Sequence, residues 1–355
     1  MSDNNLLFTE RIINWYGVNK RDVPWRNTKD PYYIWLSEVI LQQTRVAQGL
    51  PYYKTFVEAF PSIQDLAHAS EEQVLKLWQG LGYYSRARNM HHTARYIVTE
   101  LNGNFPNKYS ELIKLKGVGD YTASAIASFC FNEIQPVVDG NVYRILARYF
   151  GVSTPINSNK AQKEFKEIAF ELIDAKNPGL FNQAIMEFGS LQCRPRNPNC
   201  DTCDLSTSCV ALHTNQVSVL PKKNKKTKFR KRFFNYLLIE TEQNKIVVNK
   251  RKGKGIWENL YEFPLVETSN QIDYNNLITN SYFINITKNK SFNIRLLTPK
   301  TIIHKLSHQH LHINIWKVDL KSITKKTISW DEALELPFPI VLHRFIENFI
   351  SKVKA

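Results

Sequence analysis

The stretch Cys193-Arg-Pro-Arg-Asn-Pro-Asn-Cys200-Asp-Thr-Cys203-Asp-Leu-Ser-Thr-Ser-Cys209 sets four cysteines six, two and five residues apart. Disulfides are the poorest reading, because cytosolic thiols stay reduced and the N-terminus, with early acids and no uninterrupted apolar run, is not a secretory signal. A metal or an iron–sulfur cluster is the better one. Zinc modules usually present two close cysteine pairs. Here only Cys200 and Cys203 make a close pair, so the ligands wrap one loop around a compact object, and both zinc and iron–sulfur remain open on spacing alone. The fifth cysteine, Cys130, lies in the apolar run 125–131 and reads as a small buried hydrophobe.

Around this loop the chain is helical in texture. Leu66, Val74, Leu75, Trp78 and Leu81 recur at helical spacing, as do Phe165, Ile168, Ala169, Leu172 and Ile173. Glycine and proline punctuate at 49–51, 102–103, 117–119 and 177–179. After the run Lys222-Lys-Asn-Lys-Lys-Thr-Lys228-Phe-Arg230-Lys-Arg232, which carries no acid and marks a linker or strand edge, the texture changes. Short β-branched and aromatic runs follow at 234–239, 246–248 and 312–316, and helical spacing returns over 330–352. The expected organisation is a helical domain over 1–213, a basic linker over 214–232, and an α+β domain with a mainly antiparallel sheet over 233–355.

The 355 residues, 43% hydrophobic, suffice for two or three domains, and no apolar stretch is long enough to span a bilayer. A cytoplasmic protein is expected. The net charge of +15, from 47 basic and 32 acidic residues, together with 12% aromatics, points to nucleic acid rather than a membrane as the partner.

Two segments of the helical part suggest chemistry. Leu115-Lys-Gly117-Val-Gly119-Asp120-Tyr121 is a two-glycine turn leading into a small-residue helix, where backbone N–H groups and a helix N-terminus can receive a phosphate. Some twenty residues on, Pro136-Val-Val-Asp139-Gly-Asn141-Val142 sets an acid at a chain reversal, where Asp139 could equally be a helix N-cap.

The combination resembles the helix–hairpin–helix DNA glycosylase superfamily with the Gly/Pro…Asp motif, in which the hairpin covers about 110–142. The cysteine spacing, with the loop 193–209, is similar to that of its 4Fe-4S branch. Pro24-Trp-Arg26, Trp35-Leu-Ser-Glu38-Val-Ile-Leu-Gln-Gln43-Thr44-Arg-Val46 and Gln79-Gly-Leu-Gly-Tyr83-Tyr-Ser-Arg86 resemble the MutY family of A/G-specific adenine glycosylases, over about residues 8–213.

That resemblance implies a monomeric, monofunctional enzyme of the bacterial nucleoid. It would hydrolyse the N-glycosidic bond of adenine opposite 8-oxoguanine or guanine in double-stranded DNA, and Cys193, Cys200, Cys203 and Cys209 would hold one 4Fe-4S cluster. Breaking that bond calls for an acid at the base and a carboxylate at the sugar. Glu38, flanked by Leu36, Val39, Ile40 and Leu41, is expected to stay protonated as the acid, and Asp139 to stay ionised beside the sugar with Asn141 holding its geometry. Lyase relatives carry a lysine at the position of Tyr121, whose hydroxyl is expected instead to support the carboxylates. By the same resemblance, Arg26 and Gln183 contact the flipped adenine, and Gln43, Thr44 and Tyr83 intercalate or contact the opposite base. Gly117 and Gly119 receive a DNA phosphate, and Arg194 and Arg196 face the backbone.

Gly253-Lys-Gly-Ile-Trp257-Glu-Asn-Leu-Tyr-Glu-Phe-Pro264 resembles the start of a Nudix fold, but residues 268–280 hold only Asp273 and not the Glu/Arg cluster a Nudix hydrolase needs. The family reads 8-oxoguanine with an aromatic-Ser-His hairpin; here the match is Leu306-Ser307-His308. His304, His308, His310 and His312 alternate as in a strand, and a metal site is the minor reading. The alternatives are an endonuclease III-type glycosylase/lyase or a thymine-mismatch glycosylase, against which Tyr121 and the second domain weigh. A non-catalytic DNA-binding protein is opposed by Glu38 and Asp139 together.

Overall fold

The computed structural model describes residues 3–224, 229–288, 291–320 and 327–354. They form two compact units, Met1–His68 with Asn89–Lys225 and Ala69–Arg88 with Lys226–Ala355. Among the described residues no helix is long and apolar enough to cross a membrane.

The first unit is built of helices. They are α1 (Asp3–Asn19), α2 (Pro31–Leu41), α3 (Val46–Ala59), α4 (Ile63–His68), then, past α5 (Glu71–Leu77) of the other unit, α6 (Ser85–Glu100), α7 (Tyr109–Leu112), α8 (Asp120–Phe131), α9 (Gly140–Phe150), α10 (Asn159–Leu172), α11 (Pro178–Leu191) and α12 (Val210–His213). α2 starts where the Asp30 side chain accepts the Tyr32 amide and Pro31 fills the first position. It is apolar on nearly every side, so it lies buried against α3 and α8 and takes Glu38 in with it. α11 packs on α1, α8 and α9. The approach to α9 is close: a Cβ on Gly189 would stand 2.7 Å from the Asn141 Cβ. One core joins α1, α9, α10 and α11 around Phe8, Phe165, Phe181 and Phe188, and Cys193, Cys203 and Cys209 pack against it.

In the second unit β1 (Arg230–Glu240) is followed by β2 (Ile246–Val247), β3 (Asn249–Lys250), β4 (Tyr261–Glu262), β5 (Leu265–Thr268), α13 (Tyr274–Ile278), α14 (Ser281–Thr287), β6 (Phe292–Leu296), β7 (Ile302–Lys305), β8 (Gln309–Leu320), β9 (Thr327–Ile328), α15 (Trp330–Glu335) and α16 (Ile340–Lys354). Most pairings are antiparallel, but the longest, β1 with β8, is parallel, in register from Arg230 opposite Gln309 to Glu240 opposite Asp319. Leu237, Ile239, Trp316 and Val318 are buried on this pair beneath Leu277 and Phe283 of α13 and α14. Asp273 caps α13, and neither helix bears an acid–arginine cluster.

Two boundaries and the burial of one cysteine differ from the sequence expectation. Residues 69–88 join the second unit, because α5 and the turn after it bond there: Tyr261 donates to Glu72 at 2.6 Å, Asn259 to Glu71 at 2.7 Å and Gln79 to the Phe338 carbonyl at 2.8 Å. The expected linker is held at both ends. Leu220 is buried in the first unit's core and the Lys222 carbonyl accepts the Ile156 amide, while 230–232 already belong to β1. Residues 225–228 of the basic run lie outside the described residues. Cys130 is half-buried rather than fully buried, since it falls in the last turn of α8.

Candidate active site

A cavity of about 660 Å³ opens in the first unit, and Glu38, Tyr121, Asp139 and Asn141 share its wall. Glu38 reaches it from α2, and Tyr121 from the first turn of α8 donates its hydroxyl to Glu38 Oε2 at 2.5 Å. Burial pushes the Glu38 carboxyl up to about 7; the Tyr121 hydrogen bond and Arg26 hold it down, and Asp139 adds to the rise. A buried carboxylic acid at that point is half protonated at neutral pH. Burial also drives the Tyr121 phenol well above its ordinary value, so it remains a donor.

Asp139 is the N-cap its sequence context allowed, and it also lines the cavity. As N-cap of α9 its Oδ1 accepts the Asn141 and Val142 amides, each at 2.8 Å, while it also faces the cavity. The Asn141 side chain donates to Oδ2 at 2.7 Å. Burial raises this carboxyl, and these three N–H donors, with Arg144 nearby, pull it back toward the ionised form. Arg144 in turn donates to Asn141 Oδ1 at 2.9 Å, to the Gly189 carbonyl at 2.6 Å and to the Cys193 carbonyl at 2.7 Å. A continuous chain of hydrogen bonds therefore runs from the cysteine loop to Asp139.

Arg26 and Gln183 line the same cavity, as do Gln43 and Thr44. Gln43 sits just past the end of α2 with φ of 55°, which turns the chain sharply, and the Thr44 amide closes the turn onto the Leu41 carbonyl. Gln183 Oε1 accepts the Tyr16 hydroxyl at 2.9 Å. The Arg26 guanidinium is already engaged, through 2.6 and 2.9 Å contacts with Glu187. Glu187, Arg21 and Tyr16 were not singled out from the sequence, because a lone Glu on an apolar helix carries no local sign of arginines some 160 residues earlier.

The turn between α7 and α8 has the expected form. Gly117 takes φ of 81° and a Cβ there would strike Asn89, so only glycine fits. Gly119 caps α8 without a side-chain bond, and a Cβ there would meet open space. Asp120 beside it accepts the Tyr109 hydroxyl at 2.6 Å and is paired with Lys166.

Cys193, Cys200, Cys203 and Cys209 are all half-buried on one loop. Among the described residues no three His, Cys, Asp or Glu side chains are arranged to hold a metal ion. A four-iron cluster takes four thiolate ligands. The donors fit such a group: they are all sulfur, and the Arg148 guanidinium lies 3.4 Å from Cys193 Sγ while holding the Arg194 carbonyl at 2.8 Å. Arg11 of α1 fixes the far side of the loop through the Asp204 carbonyl and Thr207. Arg194 and Arg196 are exposed on it.

The second unit has a cavity of its own, about 620 Å³, where Tyr83 meets Leu306, Ser307 and His308. These last three connect β7 to β8 as a hairpin, closed by the Leu306 amide on the Gln309 carbonyl at 2.8 Å. Tyr83, with φ of 47° and 42% exposed, bonds through its hydroxyl to Ser307. Arg232 and Trp257 complete the wall. The alternating histidines pack on rings: His310 stacks on Phe229 and His312 on Phe233, both at 4.8 Å, and His304 leans on Trp257.

Comparison with known proteins agrees with both halves. Residues 36–170 match the family described as HhH-GPD superfamily base excision DNA repair protein, and residues 235–348 match the NUDIX domain. The chain is 37% identical over 360 residues to an adenine DNA glycosylase of Buchnera aphidicola subsp. Baizongia pistaciae (strain Bp), covering 98% of this chain and 97% of that one. Among solved structures, a thermostable thymine-DNA glycosylase is similar with a TM-score of 0.55 and 29% identity, over 59% of this chain and 97% of that one. An endonuclease III in complex with DNA follows at 0.51 and 20% identity, over 59% and 94%, a likeness of fold alone.

Proposed function

Because the chain belongs to the MutY family of adenine DNA glycosylases, hydrolases that break N-glycosyl bonds in base-excision repair, we propose that it removes adenine paired with 8-oxoguanine or guanine by a monofunctional route. The observation that carries this reading is the pairing, in one cavity, of a carboxyl pushed up to about 7 with a carboxylate held by three N–H donors. Burial raises both carboxyl groups, but the N–H donors gathered on Asp139 favour its ionised form, which divides the roles of acid and anion.

Glu38 then delivers its proton to the adenine ring, so the base leaves as a neutral group. Tyr121 holds the acid in place through its hydrogen bond. Asp139 faces the sugar, where its negative charge stabilises the developing oxocarbenium character, and Asn141 keeps Oδ2 aimed. Water completes the hydrolysis, with Glu38, now deprotonated, placed to activate it. Tyr121 offers no amine, so no Schiff base forms at C1′.

The adenine reaches this cavity only outside the duplex stack. Arg26 and Gln183 are the groups proposed to contact its edge, and Gln43 and Thr44 to fill or hold the vacated position. Gly117, Gly119, Arg194 and Arg196 contact phosphates, which fix the register of the duplex without reading its sequence. Cys193, Cys200, Cys203 and Cys209 would hold a 4Fe-4S cluster, which would shape the loop that presents these arginines.

The joint placement of Tyr83, Leu306, Ser307 and His308 at one cavity supports their assignment as the reader of 8-oxoguanine, with Tyr83 as wedge. Leu306 brings apolar bulk without the ring of the family pattern. Single-turnover excision from A:8-oxoG, A:G, T:G and oxidised-pyrimidine duplexes tests the whole reading. Adenine alone should be released, fastest opposite 8-oxoguanine.

A further inference from the structure

Glu187 is 2% exposed and lies one turn beyond Gln183 on α11, so both side chains face the cavity that holds Glu38. Its carboxylate receives five hydrogen bonds. Arg21 gives its amide at 2.9 Å, Nε at 2.8 Å and Nη2 at 2.5 Å; Arg26 gives Nη1 at 2.9 Å and Nη2 at 2.6 Å. Arg26 Nη1 also donates to the Arg21 carbonyl at 2.7 Å, and its guanidinium lies 5.3 Å from the Tyr16 ring, whose hydroxyl goes to Gln183. Two guanidiniums that never lose their charge are thus clamped side by side in a cavity wall, an arrangement that repels unless an anion sits between them. This carboxylate holds both arginines, and both line the site.

We infer that Glu187 is a positioning residue for base excision, one that locks the Arg21–Arg26 pair against the adenine pocket and cancels one of its two positive charges. This deepens the proposed reading and rests on Glu38 as the acid. The groups that face Glu38 are Tyr121 and Cys130 from α8, Asp139 ahead of α9, and Arg26, while Arg45 and Arg21 border the same cavity. Arg26 is the one cation among those acting directly on Glu38, and Glu187 is its counter-ion. Removing the Glu187 charge leaves two unbalanced cations and drives the Glu38 proton off. Removing Arg26 does the reverse.

The test is the pH profile of single-turnover adenine release at saturating duplex, measured for the full chain and four variants, with Glu38→Gln as a control. In the wild type the rate falls as pH rises through about 7. With Glu187→Gln the fall should move down by about one pH unit, and the plateau should drop about tenfold as the pair loosens. With Arg26→Gln the fall should move up. The double variant, which again carries one net positive charge, should fall near the wild-type position. Glu187→Asp keeps the charge but shortens the arm, so it should restore the position of the fall without restoring the plateau. If Glu187→Gln proves poorly folded by thermal melting, Glu187→Asp and Arg26→Gln carry the test. A wild-type profile in Glu187→Gln, or shifts of the same sign in Glu187→Gln and Arg26→Gln, overturns the inference. A wild type with no fall near 7, or Glu38→Gln that still excises adenine, instead defeats the reading of Glu38 beneath it.

Discussion

Tyr121 donates its hydroxyl to Glu38 Oε2 at 2.5 Å, joining the start of the hairpin's second helix to the middle of the buried helix α2. The contact fixes the proposed acid with a group that can neither take its proton at neutral pH nor attack the sugar as an amine.

The pH dependence follows from that environment. Glu38 is raised from 4.5 to about 7, so excision should be flat below about 6 and fall above 7 as the acid loses its proton. Tyr121→Phe removes a bond that stabilises the carboxylate, and its fall should move to higher pH. Stability changes in the matching sense. A carboxyl raised on folding contributes fully below its unfolded value of 4.5, and that contribution is lost as pH rises through about 7. Glu38→Gln should therefore melt above wild type at pH 8, by on the order of 3 kcal/mol, and match it at pH 4. Equal melting differences at both values would show that Glu38 is not buried as an acid.

Asp139→Asn should separate folding from catalysis. Asn caps helices about as well as Asp, so the start of α9 should lose less than about 1 kcal/mol. Excision should fall far more than tenfold, because an amide cannot stabilise a developing cation as a carboxylate does. Duplex binding should stay near wild type in an equilibrium titration. A single-turnover rate within about tenfold, roughly 1.4 kcal/mol in the barrier, would remove Asp139 from the mechanism.

Borohydride reports on the reaction type. Added during turnover, it should trap no covalent protein–DNA adduct, since no amine stands where Tyr121 does. Efficient trapping would reveal a lysine acting at C1′ and a lyase.

The cysteine loop makes a separate prediction. The purified protein should carry about four irons per chain, and Cys200→Ser should lose iron, duplex affinity and melting temperature together. One zinc and no iron on metal analysis would assign the loop to a zinc site.

How far the sequence was legible differs from residue to residue. Glu38, Tyr121, Asp139 and Asn141 could be assigned because the motifs around them resemble those of a known family, while local pattern alone left Asp139 equally a helix N-cap; the fold brings all four to one cavity. The Leu306–His308 turn was readable only through its likeness to the family's aromatic-Ser-His hairpin. Glu187 was not, since its meaning lies in two arginines contributed from the other end of the unit. The grouping of residues 69–88 with the second unit was equally hidden, because α5 looks like any other amphipathic helix until Glu71 and Glu72 find Asn259 and Tyr261. The parallel pairing of β1 with β8 arises from topology, which strand periodicity does not encode.

That grouping changes how lesion recognition should be tested. Deleting residues 233–355 would strip α5 of its partners, so the substitutions Ser307→Ala and His308→Ala in the full chain are the cleaner probe. Each contact of this kind is worth on the order of 1–3 kcal/mol. The double variant should excise adenine opposite guanine at the wild-type rate and lose most of its advantage opposite 8-oxoguanine. An unchanged ratio would shift recognition to Gln43, Thr44 and Tyr83.

If Glu38 and Asp139 cut the adenine glycosidic bond, single-turnover release of the base from an A:8-oxoG duplex depends on both. Wild type should free adenine and leave thymine in T:G untouched, while Glu38→Gln binds the same duplex and frees none. Release of thymine, or adenine release by Glu38→Gln within about tenfold of wild type, would contradict it.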